Sequence, residues 1–98
     1  MTLTKTTEGS KLTIAITGRL DTMTSPELDK ELKGCLDGVT ELVFDFTSLT
    51  YVSSAGLRVL LFAQKQMDSR GTMTVINCCE EVKEVFEVTG FDELLTIV

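Results

Sequence analysis

Two adjacent serines, Ser53 and Ser54, stand where one apolar run ends and another begins. The run before them closes at Phe46, and the run after them opens at Leu57. We interpret this stretch as a buried strand, a short loop and a helix whose first turn is Ser-Ser-Ala-Gly. Such a helix start places serine hydroxyls beside backbone N–H groups that have no partner within the helix, so Ser54 is itself a candidate N-cap.

Catalysis is disfavoured for these serines, and we expect no catalytic residue. A serine nucleophile needs an activating base, and the chain has no histidine. Lys65 lies roughly three helical turns from Ser54, too far to replace one. No glycine-rich phosphate loop is present, and Cys35, Cys78 and Cys79 do not form a zinc pattern. We therefore expect neither a metal nor a cofactor.

A serine in this position can instead accept a phosphate. Phosphorylation adds about 1.5 to 2 negative charges. A helix N-terminus tolerates that charge, because its N–H groups and the helix dipole favour anions. The same charge would weaken an interface that packs this surface against acidic groups. The pattern therefore favours a switch that changes partner binding without unfolding the domain.

The remaining chain predicts the elements that position these serines. Thr2–Glu8 and the alternating Lys11–Thr17 predict a hairpin, and Gly18–Thr22 a loop in which Asp21 caps a turn. Thr24 and Glu27 form a candidate capping box around Pro26. Gly38, Gly71 and Gly90 are candidate helix ends. The further predicted segments are a helix from Thr24 toward Gly38, a strand Glu41–Phe46, a helix from Ser54 or Ala55 to Arg70, a strand Thr72–Asn77, a helix Cys78–Thr89 and a strand Leu94–Val98.

This order, β-β-α-β-α-β-α-β, predicts an α/β fold. Alternating strands and helices build a mixed sheet with parallel neighbours, here four to five strands and three helices in one domain over 1–98. The near-continuous apolar run in Glu41–Phe46 indicates a strand covered on both faces. Asp45 interrupts that run, so its carboxylate must find donors in the loop that follows. In the helix after the serines, the first half is expected to be buried and the second half to reach water.

Composition limits the partners and the compartment. The formal net charge is −6, from 15 acidic and 9 basic side chains, which argues against nucleic acid and anionic membranes. No secretory signal pattern opens the chain, and no apolar run approaches the ~20 residues of a membrane span. The three cysteines are typical of small buried side chains in a reducing compartment. We expect a soluble cytoplasmic protein.

The segment 43–57, Val-Phe-Asp-Phe-Thr-Ser-Leu-Thr-Tyr-Val-Ser-Ser-Ala-Gly-Leu, resembles the central motif of STAS domains. That family is named for sulfate transporters and anti-sigma factor antagonists. The flanking segments Gly18–Asp21 and Val85–Phe91 are similar to the layout of the same family, so the resemblance covers essentially the whole chain.

The resemblance implies a bacterial anti-anti-sigma factor. In that family the unphosphorylated protein binds an anti-sigma factor that is also an ATP-using serine kinase, which frees the sigma factor, and a serine phosphatase reverses the phosphorylation. The acceptor lies two residues before the motif glycine, Gly56, which gives Ser54, with Ser53 as its rival. Ser53 and Ala55 replace an acidic residue and a second serine that many sporulation-type members of the family have. The implied partner-binding residues are Asp21, Thr22, Ser53, Ser54, Ala55, Gly56 and Arg58.

Two other functions remain open at this point. The chain could be a STAS interaction module of a stressosome-like, transport or lipid-trafficking complex with no sigma-factor role. It could also be a small-ligand-binding domain or an enzyme, which the missing histidine and glycine-rich loop disfavour. We expect a monomer or a weak dimer.

Overall fold

The computed structural model describes all residues, 1–98, and has the predicted α/β architecture. Five strands form one mixed sheet, and three α-helices pack with it. The strands are β1 (Thr2–Glu8), β2 (Lys11–Leu20), β3 (Glu41–Asp45), β4 (Leu49–Val52) and β5 (Thr72–Ile76). The helices are α1 (Ser25–Cys35), α2 (Ser54–Asp68) and α3 (Glu80–Thr89), followed by a 3₁₀ turn at Phe91–Glu93. The predicted mixed sheet with three helices is confirmed.

Strand β2 organises the sheet because three other strands pair with it. It pairs antiparallel with β1, which confirms the predicted hairpin. Its first half, Lys11–Ala15, pairs parallel with β3, and β3 pairs parallel with β5. Its last residues, Gly18–Leu20, pair parallel with β4 beyond an irregularity between Gly18 and Arg19. One long strand therefore connects the main sheet to the segment that leads into the two serines.

The core lies between the sheet and the helices, and the sequence periods explain which residues enter it. Alternate residues of β2, Leu12, Ile14 and Ile16, are buried, as expected for period 2. On β3 the consecutive residues Leu42–Phe44 are all buried, which confirms a central strand. The helices contribute stripes at helical spacing. Their buried apolar residues are Leu28 and Leu32, then Leu57, Leu60, Ala63 and Met67, then Val82 and Phe86.

Asp45 finds the donors that its position requires. Its Oδ1 accepts hydrogen bonds from the Thr47 N–H at 3.0 Å and from the Asn77 amide at 3.2 Å. The Thr47 hydroxyl also donates to it. These bonds, first of all the one from the Thr47 hydroxyl, lower the pKa of Asp45 below its ordinary value. The carboxylate therefore fastens the loop after β3 to the end of β5.

The structure differs from the strand predictions at three places. Gly18–Leu20 belongs to β2 and not to a loop, because it pairs with β4. Strand β4 itself was missed: it has only four residues, and two of them are exposed. The expected final strand Leu94–Val98 shrinks to a single bridge between Val75 and Ile97, since a 3₁₀ turn occupies Phe91–Glu93.

The helix ends differ from the predicted ones at several points. The capping box at Thr24 is not formed, because the Thr24 hydroxyl bonds to Arg19 and Asp21 instead. Helix α1 ends at Cys35, before Gly38, and α3 begins at Glu80 rather than at Cys78. Burial on α2 runs as a stripe as far as Met67, so its second half is not simply exposed. Gly90 closes α3 with a φ of 78°, as predicted.

None of the three α-helices combines the length and the apolar character that crossing a bilayer demands.

Gly71 offers a stability test of the packing of the turn between α2 and β5 against the residue that precedes β3. A Cβ built there would overlap the carbonyl oxygen of Thr40, the acceptor for the Thr72 N–H at 2.9 Å. We expect Gly71→Ala to lower the free energy of unfolding by about 2 to 3 kcal/mol, because backbone must move to relieve the overlap. Gly34→Ala is the control: its Cβ meets nothing within 4 Å inside α1, so it should stabilise by about 0.5 to 1 kcal/mol. Urea denaturation measures both, and equal effects would contradict the predicted overlap.

Candidate functional site

Ser53 is the N-cap of α2. Its backbone is extended, with φ −98° and ψ 175°, and its hydroxyl accepts a hydrogen bond from the Gly56 N–H at 3.4 Å. Its own N–H donates to the carbonyl of Leu20 at 2.9 Å. The same residue thus ends the β4 segment, caps the helix and ties both to the end of β2.

Ser54 is the first helical residue and is exposed. The expectation that Ser54 is the N-cap is therefore wrong by one position. The reason is the pairing of β4 with β2, which keeps the chain extended through Ser53. Because Ser53 provides the cap, the Ser54 hydroxyl has no bonding role within the fold and faces solvent.

Gly56 holds the first turn of α2 close to the ends of β2 and β4. A Cβ at this position would lie 2.8 Å from Leu20 Cγ, 2.9 Å from the Leu20 carbonyl oxygen and 3.0 Å from Val52 Cγ2. No larger residue fits without displacing backbone. Gly56 is buried, and its role is to let the first turn of α2 lie close to Leu20 and Val52.

Asp21 organises the turn that precedes α1. Its Oδ1 accepts hydrogen bonds from the backbone N–H groups of Met23 at 3.0 Å and Thr24 at 3.1 Å. The Thr24 N–H is the main reason that the pKa of Asp21 lies below its ordinary value. The predicted turn-capping role of Asp21 is confirmed, and the turn presents Met23 to solvent with 87% of its surface exposed.

Arg19 and Tyr51 form an exposed pair beside this turn. The Arg19 guanidinium carbon lies 4.1 Å from the centroid of the Tyr51 ring, a cation–π contact. Arg19 Nε also lies 3.5 Å from Asp21 Oδ2. Sequence reasoning singled out neither Arg19, Tyr51 nor Met23. Only the register of β2 on β4, which aligns Arg19 with Tyr51, reveals the pair.

A shallow groove runs between α1 and α2 next to the serines. Its volume is about 380 Å³, and its apolar floor includes Pro26, Val59 and Phe62. Three predicted partner-binding residues, Thr22, Ala55 and Arg58, line it. Lys33 Nζ, which also lines the groove, pairs with Asp29 Oδ2 at 3.0 Å one helical turn away.

The structure thus gathers most of the predicted site at one end of the molecule. The Ser53–Leu20 hydrogen bond brings the serines next to the Asp21 turn, and the groove joins Thr22, Ala55 and Arg58. Gly56 lies beneath this surface. No group of three His, Cys, Asp or Glu side chains is arranged to hold a metal ion. What the arrangement offers is a rigid surface with a solvent-facing hydroxyl.

A family model described as "Mlab, STAS domain" matches residues 3–96. The chain belongs to the STAS domain family. The resemblance expected from the motif around Ser54 is therefore confirmed. Among curated proteins, the chain is 34% identical over 93 residues to BtrV of Bordetella bronchiseptica, which is named as a candidate anti-sigma factor antagonist. That match covers 93% of this chain and 80% of the relative.

Solved STAS structures share the fold. An anti-sigma factor antagonist from Mycobacterium paratuberculosis superposes with a TM-score of 0.88 at 18% identity, covering 98% of this chain and 83% of the other. The Bacillus cell fate determinant SpoIIAA in its phosphorylated form superposes with a TM-score of 0.76 at 16% identity, covering 99% of this chain and 91% of the other. At these identities the likeness concerns the arrangement of strands and helices.

The two serines should differ sharply in their effect on stability. Ser53→Ala removes the hydroxyl that accepts from the Gly56 N–H, so we expect the free energy of unfolding to fall by about 1 kcal/mol. Ser54→Ala removes an exposed hydroxyl without a partner and should change stability by less than about 0.5 kcal/mol. Thermal or urea unfolding of the pair measures this. A larger loss for Ser54→Ala would mean that Ser54 is the cap.

The contribution of Asp21 to stability should depend on pH. Its folded pKa is lowered, so its stabilising effect is present above the unfolded value of about 3.9 and is lost as pH falls through the folded pKa. Asp21→Asn should therefore lower the melting temperature at pH 7, and the difference from wild type should shrink on acidification. Asp92→Asn, at an exposed carboxylate without a hydrogen bond or salt bridge, is the control and should show little difference throughout. A constant Asp21→Asn penalty down to acid pH would contradict the assignment.

Proposed function

We propose that this protein is an anti-sigma factor antagonist that is switched by phosphorylation of Ser54. Unphosphorylated, it binds an anti-sigma factor that is also a serine kinase, and so releases a sigma factor. The carrying observation is the exposed Ser54 hydroxyl on the first turn of α2. The first turn of α2 is held by the Ser53 cap and by the close contact at Gly56, and neither contact involves the Ser54 hydroxyl.

The relatives support this proposal. The match to BtrV spans nearly the whole chain, and BtrV is named as a candidate antagonist of an anti-sigma factor. The anti-sigma-B factor antagonist of Staphylococcus aureus is 23% identical over 94 residues, which cover 94% of this chain and 87% of that protein. SpoIIAA, which shares the fold, is known in unphosphorylated and phosphorylated forms.

Phosphorylation can reverse partner binding with the charge that it adds. A useful switch must weaken binding by about 100-fold, which is about 2.7 kcal/mol. A phosphate carries about 1.5 to 2 negative charges, and their desolvation or repulsion in an interface is large enough to supply that energy. In the free protein the phosphate stays in water at the start of α2, where the helix dipole favours it. The fold is therefore expected to survive modification.

The proposed partner surface surrounds Ser54. It consists of the Asp21–Thr22 turn, Ser53, Ala55 and Arg58, and we add the exposed Met23 and Tyr51, which the same elements hold in place. Gly56 contributes by allowing α2 to approach β2 closely. An exposed apolar side chain beside charged groups is typical of protein-binding surfaces. A serine phosphatase that restores the unmodified form completes the proposed cycle.

Ser54 is favoured over Ser53 as the phosphate acceptor. The Ser53 hydroxyl is half-buried and accepts from the Gly56 N–H, so a kinase would have to break the cap to reach it. The Ser54 hydroxyl is exposed and makes no hydrogen bond within the protein. Modification of Ser54 therefore needs no local unfolding.

Binding assays with a kinase-type anti-sigma factor from the same organism test the proposal. Ser54→Ala should bind with wild-type affinity and accept no phosphate, whereas Ser54→Asp should bind at least about tenfold more weakly, since one carboxylate carries less charge than a phosphate. Ser53→Ala is the matched control and should still be phosphorylated at Ser54. Mass spectrometry after incubation with kinase and ATP maps the site, and titration calorimetry gives the affinities.

Two outcomes would contradict the proposal. Equal affinity of wild type, Ser54→Ala and Ser54→Asp would show that binding is not switched at this residue, as expected for a constitutive module of a transport or stressosome-like complex. Phosphate found on Ser53 in wild type would move the switch to the cap residue.

A further inference from the structure

We propose that Arg58 binds the phosphate within the same chain: in the modified protein its guanidinium forms an ion pair with phosphoserine 54. This rests on the proposed function, because it concerns the modified state of the same serine. Residues four apart on a helix lie on one face with their Cβ atoms about 5 to 6 Å apart. Ser54 and Arg58 have this spacing on α2, and both are exposed.

Arg58 is free to make this pair. None of the four salt bridges in the structure involves it, and its guanidinium donates no hydrogen bond to a protein acceptor. The other two arginines, Arg19 and Arg70, each lie near a carboxylate. The first turn of α2 contains no acidic residue that could compete with a phosphate for it. Arg58 is thus an unneutralised cation one turn away from the acceptor serine.

The other charged groups nearby already have partners. On β2, Arg19 lies over the Tyr51 ring at 4.1 Å and within 3.5 Å of Asp21. On α1, Asp29 and Lys33 pair with each other at 3.0 Å. These contacts occupy Arg19 and Lys33, so neither is as free as Arg58 to neutralise a phosphate on Ser54.

The pairing would also change the groove between α1 and α2. In the unmodified protein Arg58 lines that groove, whereas Ser54 does not. A phosphate on Ser54 would draw the guanidinium along the helix face toward the start of α2. Phosphorylation then alters the surface twice, since it adds negative charge at Ser54 and moves the charge of Arg58 out of the groove.

The second ionisation of the phosphate measures the pair directly. Phosphoserine is installed at position 54 during translation, so the experiment needs no kinase and stays valid if the proposed function fails. An adjacent guanidinium favours the dianion, so the phosphate pKa, ordinarily near 6, should be lower in wild type than in Arg58→Gln by about 0.3 unit. Phosphorus NMR titration at low salt gives both values.

Two control variants separate the pair from general charge effects. Lys65→Gln removes one positive charge from an exposed position further along α2 and should leave the phosphate pKa at the wild-type value, because screening weakens distant charges. Arg58→Lys keeps a cation and should retain part of the shift. The Nε–H signal of Arg58 should also move on phosphorylation.

The phosphate pKa values of the variants test the ion pair. A higher phosphate pKa in Arg58→Gln alone, with partial recovery in Arg58→Lys, supports the pair. Equal phosphate pKa values in wild type and Arg58→Gln, or an equal change in Lys65→Gln, would overturn it. If the phosphate pKa differs as expected but the kinase-binding experiments fail, the proposed function is rejected and the ion pair is retained.

Discussion

The close packing of the first turn of α2 against the ends of β2 and β4 is the constraint on which the site depends. Gly56 permits it, since a single methyl group would come within 2.8 Å of Leu20. The Ser53 N–H and the Leu20 carbonyl add a backbone bond across the same junction. The buried side of this turn is therefore fixed by a backbone hydrogen bond and by the close approach that Gly56 permits. Neither contact involves the outer side of the turn, so a charge can be added there without disturbing the packing.

Electrostatics and packing are separated in this domain. The core is apolar except for Ser25, whose hydroxyl donates to the Asp21 carbonyl. The charged groups lie at the surface, where Lys5 pairs with Glu31 at 2.7 Å and Arg70 lies near Asp37. Exposed pairs of this kind contribute little to stability. A change of charge at the surface can therefore alter recognition while the core keeps the fold.

Much of the fold was predictable, because it follows from local patterns. Alternation in Lys11–Thr17 specifies a strand with one buried face, and the carboxylate of Asp45 had to find donors. The short strand Leu49–Val52 was not predictable from its own residues, since it exists through pairing with β2 beyond an irregularity. That pairing also shifts the cap from Ser54 to Ser53. The Arg19–Tyr51 contact escaped for the same reason, because it depends on strand register.

The pairing of β2 with β4 has a consequence for the order in which the site assembles during folding. The two halves of the site, the Asp21 turn and the serine turn, are distant in the chain and meet through that parallel pairing and across the groove between α1 and α2. Parallel contacts between distant segments form late compared with local turns. The surface around Ser54 is therefore complete only once these contacts between distant segments have formed.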